Sequence, residues 1–142
     1  MLLVDVNVLV YAHAEDAARH LEYRDWLRQM VESESAYGMS DLVLSGFLRV
    51  VTNPRVFDAP MPTDRALAAA DALRARSNCV LISPSQRHWE ILGRLCREAG
   101  VKGNLVPDAY FAALAIESGS EWITTDRDYS RFAGLKWRHP LD

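Results

Sequence analysis

The sequence is short of cysteine, has no long apolar run and carries no large excess of either charge. Cys79 and Cys96 are its only 2 cysteines; they sit in apolar patterns, without metal-ligand spacing or a disulfide framework, and read as core thiols. No apolar stretch approaches the roughly 20 residues that cross a bilayer. The opening MLLVDVNVLVYA lacks a basic flank and carries Asp5 in its middle. It reads as a buried strand, and the expectation is a cytoplasmic protein with no membrane association. A net charge of −3 lacks the footprint of a dedicated nucleic-acid binder, so an anionic substrate has to be held by local cations. Arg49 and Arg55 flank one loop, and Arg127, Arg131, Lys136 and Arg138 lie near the C-terminus; scattered cations of this kind are usually solvated surface. A Gly-rich phosphate loop, G-x-S-x-G and H-E-x-x-H are all missing, which removes the commonest nucleotide-binding, serine-hydrolase and zinc-protease readings. His13, His20, His88 and His139 share no spacing and read as surface or core.

What is present is ample material for one core: 142 residues, 49% of them apolar, and a 25% charged fraction free of low-complexity tracts. We expect one domain over residues 1–142. Leu2 to Val6 is a nearly continuous apolar run of the parallel-strand type. A helix is expected over Asp16 to Glu34, where Ala18, Leu21, Leu27, Met30 and Val31 recur at helical spacing. Ala36 to Met39 reads as a strand, and Ser40 or Asp41 caps a helix that ends before Pro54. After a loop over 53–62, Thr63 caps an Ala-rich helix to Arg76. Cys79 to Ile82 is a strand and Gln86 to Ala99 a helix closed by Gly100. Pro107 opens a helix that stops at Gly119. Trp122 to Thr125 is a strand, Asp128 to Phe132 a helical turn, and Leu135 to Trp137 a last strand. This alternation predicts an α/β fold, a three-layer α/β/α sandwich around a mainly parallel sheet, with sites at the carboxyl ends of its strands.

Three acids fall at element ends. Asp5 closes the first strand, Asp108 lies in the first turn of the helix opened by Pro107, and Asp126 follows WITT. In a parallel sheet such positions can share one pocket, and crowded carboxylates repel unless a cation lies between them. A hard divalent ion, Mg²⁺ or Mn²⁺, resolves that repulsion. Asp108 alone is equally well explained as a favourable first-turn charge, and Asp126 and Asp128 as turn formers. Asp5 is harder to explain away, because an ionised carboxylate among leucine and valine needs a partner. Asn7 could orient a ligand or cap the next helix, and Thr125 could donate its hydroxyl or simply occupy a strand.

In order, LLVDVNVLVYA, SDLVLSGFLRVVTNPRVF, LVPDAYFAALAIESG and WITTDRDYSRFAGLKW resemble the PIN-domain family, and the likeness to its VapC toxins covers essentially the whole chain. The resemblance implies a toxin of a type II toxin–antitoxin module: an endoribonuclease that depends on Mg²⁺ or Mn²⁺, often dimeric and held inactive by a cognate VapB-like antitoxin. By position Asp5, Asp108 and Asp126 match the catalytic, metal-binding acids, with Asn7, Thr125 and Asp128 as accessory residues. One departure stands out: the family's helix normally carries Glu where this chain has Gly46. Glycine inside a helix costs about 1 kcal/mol relative to alanine. Close helix packing explains it, but with the surrounding motif intact a lost acid, and hence attenuated activity, is the preferred expectation. The competing readings are a catalytically silent PIN domain that binds antitoxin or RNA, and an aspartate-based phosphohydrolase, which would need a second acid where Asn7 stands.

Overall fold

The computed structural model describes residues 1–142. Five short strands, β1 (Leu2–Val4), β2 (Tyr37–Met39), β3 (Cys79–Leu81), β4 (Glu121–Ile123) and β5 (Trp137–Arg138), form one sheet in the order β3-β2-β1-β4-β5. All four pairings are parallel. Six helices connect them: α1 (Val6–His13), α2 (His20–Glu32), α3 (Asp41–Val51), α4 (Thr63–Ala75), α5 (His88–Ala99) and α6 (Val106–Ser118).

The strand order explains the layers. From β1 the chain steps outward to β2 and β3, then returns past β1 to β4 and β5. Right-handed crossovers therefore place α1 to α4 on one face and α5 with α6 on the other. The packing agrees, since α1 meets α2 and α3, α3 meets α4, and α5 meets α6. The direction of winding reverses between β1 and β4, and that is where open α/β sheets leave a crevice at their carboxyl ends. A single cluster of 30 buried apolar residues joins the sheet to both helix layers, with Leu3, Val4, Trp122 and Ile123 at its centre. Small residues let α6 sit low on the sheet: Ala109, Ala112, Ala113 and Ala115 are fully buried.

Several sequence expectations need correction. The apolar opening is strand only as far as Val4; Val6–His13 is helical, and Asp5 caps it by accepting the Val6 N–H at 2.7 Å. Val8, Leu9, Val10 and Ala12 are buried along this helix, so burial on several sides hides the helical period and leaves β-branched residues that read as strand. The expected helix over 16–34 is shortened to α2, which starts after Arg19 in a left-handed conformation (φ 59°). Asn7 caps nothing and lies within the first turn of α1. Pro62, not Thr63, is the N-cap of α4, without a side-chain hydrogen bond. Strand β4 ends at Ile123, so Thr124 and Thr125 separate it from Asp126. The Ser40 cap of α3 and the left-handed Gly100 and Gly119 that close α5 and α6 are found as expected. Both cysteines are free, half-buried and packed on the core. No helix is long and apolar enough to cross a membrane.

Candidate active site

Asp5 extends the ladder between β1 and β4 by one bond, its N–H donating to the Ile123 carbonyl at 2.9 Å. That pairing sets its carboxylate beside the residue after β4. Thr124, fully buried, donates its hydroxyl to Asp5 Oδ2 at 2.7 Å and accepts the Asp126 N–H at 3.0 Å. One hydroxyl thus ties the end of β1 to the segment carrying Asp126. Asp126 in turn caps a 3₁₀ turn over Arg127–Arg131 by accepting the Asp128 N–H at 2.9 Å. The third acid arrives on the first turn of α6, where the Tyr129 hydroxyl donates to Asp108 Oδ1 at 3.3 Å. Tyr129 is itself buried, its ring against Trp122 and Phe132.

Asp5, Asp108 and Asp126 line one cavity of about 520 Å³ together with Asn7, Arg49 and Tyr129. Burial and crowding show in the protonation of Asp5 and Asp108. Burial pushes the Asp5 carboxyl up to about 6, opposed by the hydrogen bonds from Thr124 and Val6 and reinforced by repulsion from Asp108 and Asp126. Asp108 is also raised, first by burial and then by the negative charge of Asp126. The Tyr129 hydroxyl is raised for the same reasons, burial foremost and the charges of Asp5 and Asp108 after it, so it stays a neutral donor.

The donor set is three carboxylates and the Asn7 amide oxygen, hard oxygen ligands of the kind Mg²⁺ and Mn²⁺ take. They are not gathered into a ready-made cage, since no group of three or more His, Cys, Asp or Glu side chains is preset to hold an ion. The acids border a shared cavity, and Asp5 and Asp108 are raised first by burial and then by the unneutralised charge of their neighbours. In chemistry the residues fit a divalent cation whose binding would have to draw the carboxylates closer.

The remaining sequence-picked residues divide. Asn7 lines the cavity and accepts the Thr125 N–H at 3.3 Å, so Thr125, past the end of β4, contributes its backbone in place of either role weighed for it, hydroxyl donor or strand residue. Asp128 stays outside the cavity lining, its side chain 78% exposed and 3.5 Å from Arg131, although its charge still reaches Asp108. Gly46 does not line the cavity either; a Cβ there would meet Val6 Cγ2 at 2.8 Å. The close-packing explanation, ranked second from the sequence, thus has direct support, and α3 brings no acid to the site, only Arg49 and Val50. Sequence reasoning missed Thr124 and Tyr129. The threonine pair beside Asp126 was the available signal, and only the ladder register decides which hydroxyl turns inward. None of the four histidines is in the cavity. His13, His20 and His88 donate to the carbonyls of Leu9, Tyr11 and Tyr110, and His139 lies against Tyr23.

The family model described as PIN domain matches residues 2–135. The chain belongs to the PIN-domain family. It is 44% identical over 142 residues to Ribonuclease VapC43 of Mycobacterium tuberculosis, covering 100% of this chain and 97% of that relative, which places it among the VapC proteins. Among solved structures, it resembles VapBC2 from Rickettsia felis bound to a promoter DNA fragment, with a TM-score of 0.70, 18% identity and 97% of each chain covered. It also resembles Mycobacterium tuberculosis VapC20, described as a sarcin-ricin-loop-cleaving toxin, with a TM-score of 0.64, 18% identity, and 96% of this chain and 99% of that one covered. At such identities the structures speak for the fold, the three-layer α/β/α arrangement of PIN domains.

Proposed function

We propose that this PIN-domain protein is the toxin of a type II toxin–antitoxin module, a metal-dependent endoribonuclease whose catalytic acids are Asp5, Asp108 and Asp126. The carrying observation is that these acids come from three distant segments to one cavity at the switch point of the sheet. The names of its VapC relatives support ribonuclease activity. Asp5, Asp108, Asp126 and Asn7 would hold Mg²⁺ or Mn²⁺, which when bound would supply neutralising charge, polarise the phosphodiester and lower the pKa of an attacking water. The chain's own part is to hold the acids. Thr124 fixes the Asp5 rotamer, Tyr129 orients Asp108, Asn7 braces the segment after β4, and Arg49 faces the same cavity with a charge complementary to phosphate. Residues 1–142 act as one domain, in the cytoplasm and as a homodimer. A VapB-like antitoxin is the partner, in keeping with neighbours described as a toxin–antitoxin complex and as DNA-bound VapBC.

The test is RNA cleavage by the purified chain with Mn²⁺ and with EDTA. Cleavage that needs the metal and is lost in Asp5→Asn supports the proposal; metal-independent cleavage, or none under any condition, refutes it.

A second reading concerns Gly46. Without the family Glu, α3 offers no fourth acid, and we infer that activity is attenuated relative to relatives that keep it. The contact at Val6 complicates restoration, because Val6 is the residue whose N–H holds Asp5. Gly46→Glu and Gly46→Ala therefore belong together. Attenuation predicts that Glu raises metal-dependent cleavage above both Ala and the unaltered chain. Equal rates for Glu and Ala would leave Gly46 as a packing residue only.

A further inference from the structure

The cavity is larger and greasier than three carboxylates and a cation require. Its volume of about 520 Å³ is that of a small-molecule pocket, and nine of its fifteen lining residues are apolar. Its lining follows the chain from the Asp5 cap along α1 to Tyr11, six residues and roughly 9 Å of helical rise, so the apolar lining extends beyond the acids. The facing wall is the loop after α3, which contributes Val56 and Phe57. Val56 is 54% exposed although apolar. Of the aromatic rings in the cavity, Tyr11 is paired with Tyr23 at 5.2 Å, Phe111 is stacked on Trp122 at 5.3 Å and Tyr129 packs on Trp122 and Phe132. Phe57 makes no ring–ring pair.

The loop is held rather than loose. The N–H groups of Val56 and Phe57 donate to the Asn53 carbonyl at 3.0 and 3.1 Å, the Asn53 side chain accepts the Arg55 N–H at 2.9 Å, and Met61 returns to the Val51 carbonyl at 2.8 Å. Arg49, one turn before this loop, is exposed, lines the cavity and makes no ion pair. Phe57 is half-buried and packed on the core, and its ring has no aromatic partner. A ring that borders an apolar recess and an unpaired guanidinium beside an acid cluster are what one nucleotide needs: a surface for the base and a counter-charge for its phosphate.

We propose that the apolar part of the cavity takes an unpaired nucleobase adjacent to the scissile phosphate, with Phe57 as its stacking face and Arg49 against the flanking phosphate. The inference rests on the ribonuclease reading and adds to it two side chains that would seat the substrate; a base inside a duplex presents no free face to Phe57. Neither residue is assigned to the chemistry; both are positioning residues for substrate.

Binding can be read without turnover. In EDTA, a short RNA carrying 2-aminopurine is titrated with the full chain, once single-stranded and once annealed to its complement. The single strand should show altered fluorescence on binding and the duplex should not. Phe57→Ala and the similarly bulky but non-aromatic Phe57→Leu should each weaken single-strand binding by about tenfold, the scale of one lost base stack. Phe57→Trp should restore it, and Arg49→Ala should weaken it and flatten its salt dependence. Equal binding of duplex, or unchanged binding by Phe57→Leu with an unchanged melting temperature, overturns the proposal. So does a cavity that responds only to an added protein partner. Metal-dependent cleavage in Mn²⁺, scored separately, reports on the ribonuclease reading: cleavage with Phe57-independent binding sinks the pocket alone, and Phe57-dependent binding without cleavage sinks the nuclease alone.

Discussion

Two clefts of this molecule carry opposite charge and differ in how they are built. The acid cavity at the ends of β1 and β4 gathers Asp5, Asp108 and Asp126; a cleft between α2 and α4 gathers Arg24, Arg28, Arg65 and Arg76. In the acid cavity charge is buried and cross-tied: Asp5 is 6% exposed, its oxygens are engaged by Val6 and Thr124, and its protonation is shifted. In the arginine cleft charge is solvated. The Arg24 and Arg65 side chains are 45% and 67% exposed, with exposed partners in Asp25 and Glu15. Like charges in water coexist at little cost, whereas like charges under a protein surface cost several-fold more and persist where something offsets them. Burial and hydrogen bonding, more than the count of charges, therefore set the acid cavity apart from the arginine cleft.

That contrast can be broken in order of effect. Asp5→Asn should lower metal-dependent RNA cleavage by more than ~100-fold, beyond the range typical of losing a supporting residue around a metal. Arg28→Ala, in the other cleft, should leave the rate within about twofold, as surface changes usually do. Comparable losses in an RNase assay would erase the distinction.

Stability without divalent ions should move the opposite way. The Asp5 carboxyl is raised from 3.8 to about 6 in the folded chain, so ionisation favours the unfolded state. The native protein should lose stability as pH rises from about 4 to about 6 and stay at the lower level above that, a penalty of up to about 3 kcal/mol. Asp5→Asn should reduce this dependence to the part left by Asp108 and melt higher than the native chain at pH 7 in EDTA. Urea unfolding across pH measures it, and a native chain that gains stability over this interval would contradict the electrostatic account.

Thr124→Val should cost ~10–100-fold in cleavage by freeing Asp5 and the segment of Asp126, with Thr124→Ser recovering most of it. Loss in the Ser variant equal to that in Val would mean the methyl, not the hydroxyl, matters. An effect on stability, with no part for the acids, is expected at Gly46→Ala: overpacking against Val6 should destabilise by about 1–3 kcal/mol, read by chemical denaturation.

How far the sequence exposes these features follows from the range of the forces. Five strands, the later helices and their glycine stops are legible because periodicity, caps and turn residues act locally. The helix of residues 6–13 is not, since its burial on several sides suppresses any polar face. Asp5 is legible as an anomaly, a charge within leucine and valine, and its convergence with Asp108 and Asp126 follows from topology. What the letters hide is pairing across distance: that Thr124 rather than Thr125 reaches Asp5 depends on the register of β1 against β4, and that Gly46 touches Val6 depends on how α3 crosses α1.

The central claim is that the three acids together form a site for a divalent cation. The most direct measurement is the melting temperature against Mn²⁺ concentration for the native chain and for the Asp5→Asn, Asp108→Asn, Asp126→Asn triple variant. The account predicts a saturable rise in the native chain that vanishes in the triple variant. A flat native curve, or the same rise in both proteins, would contradict it.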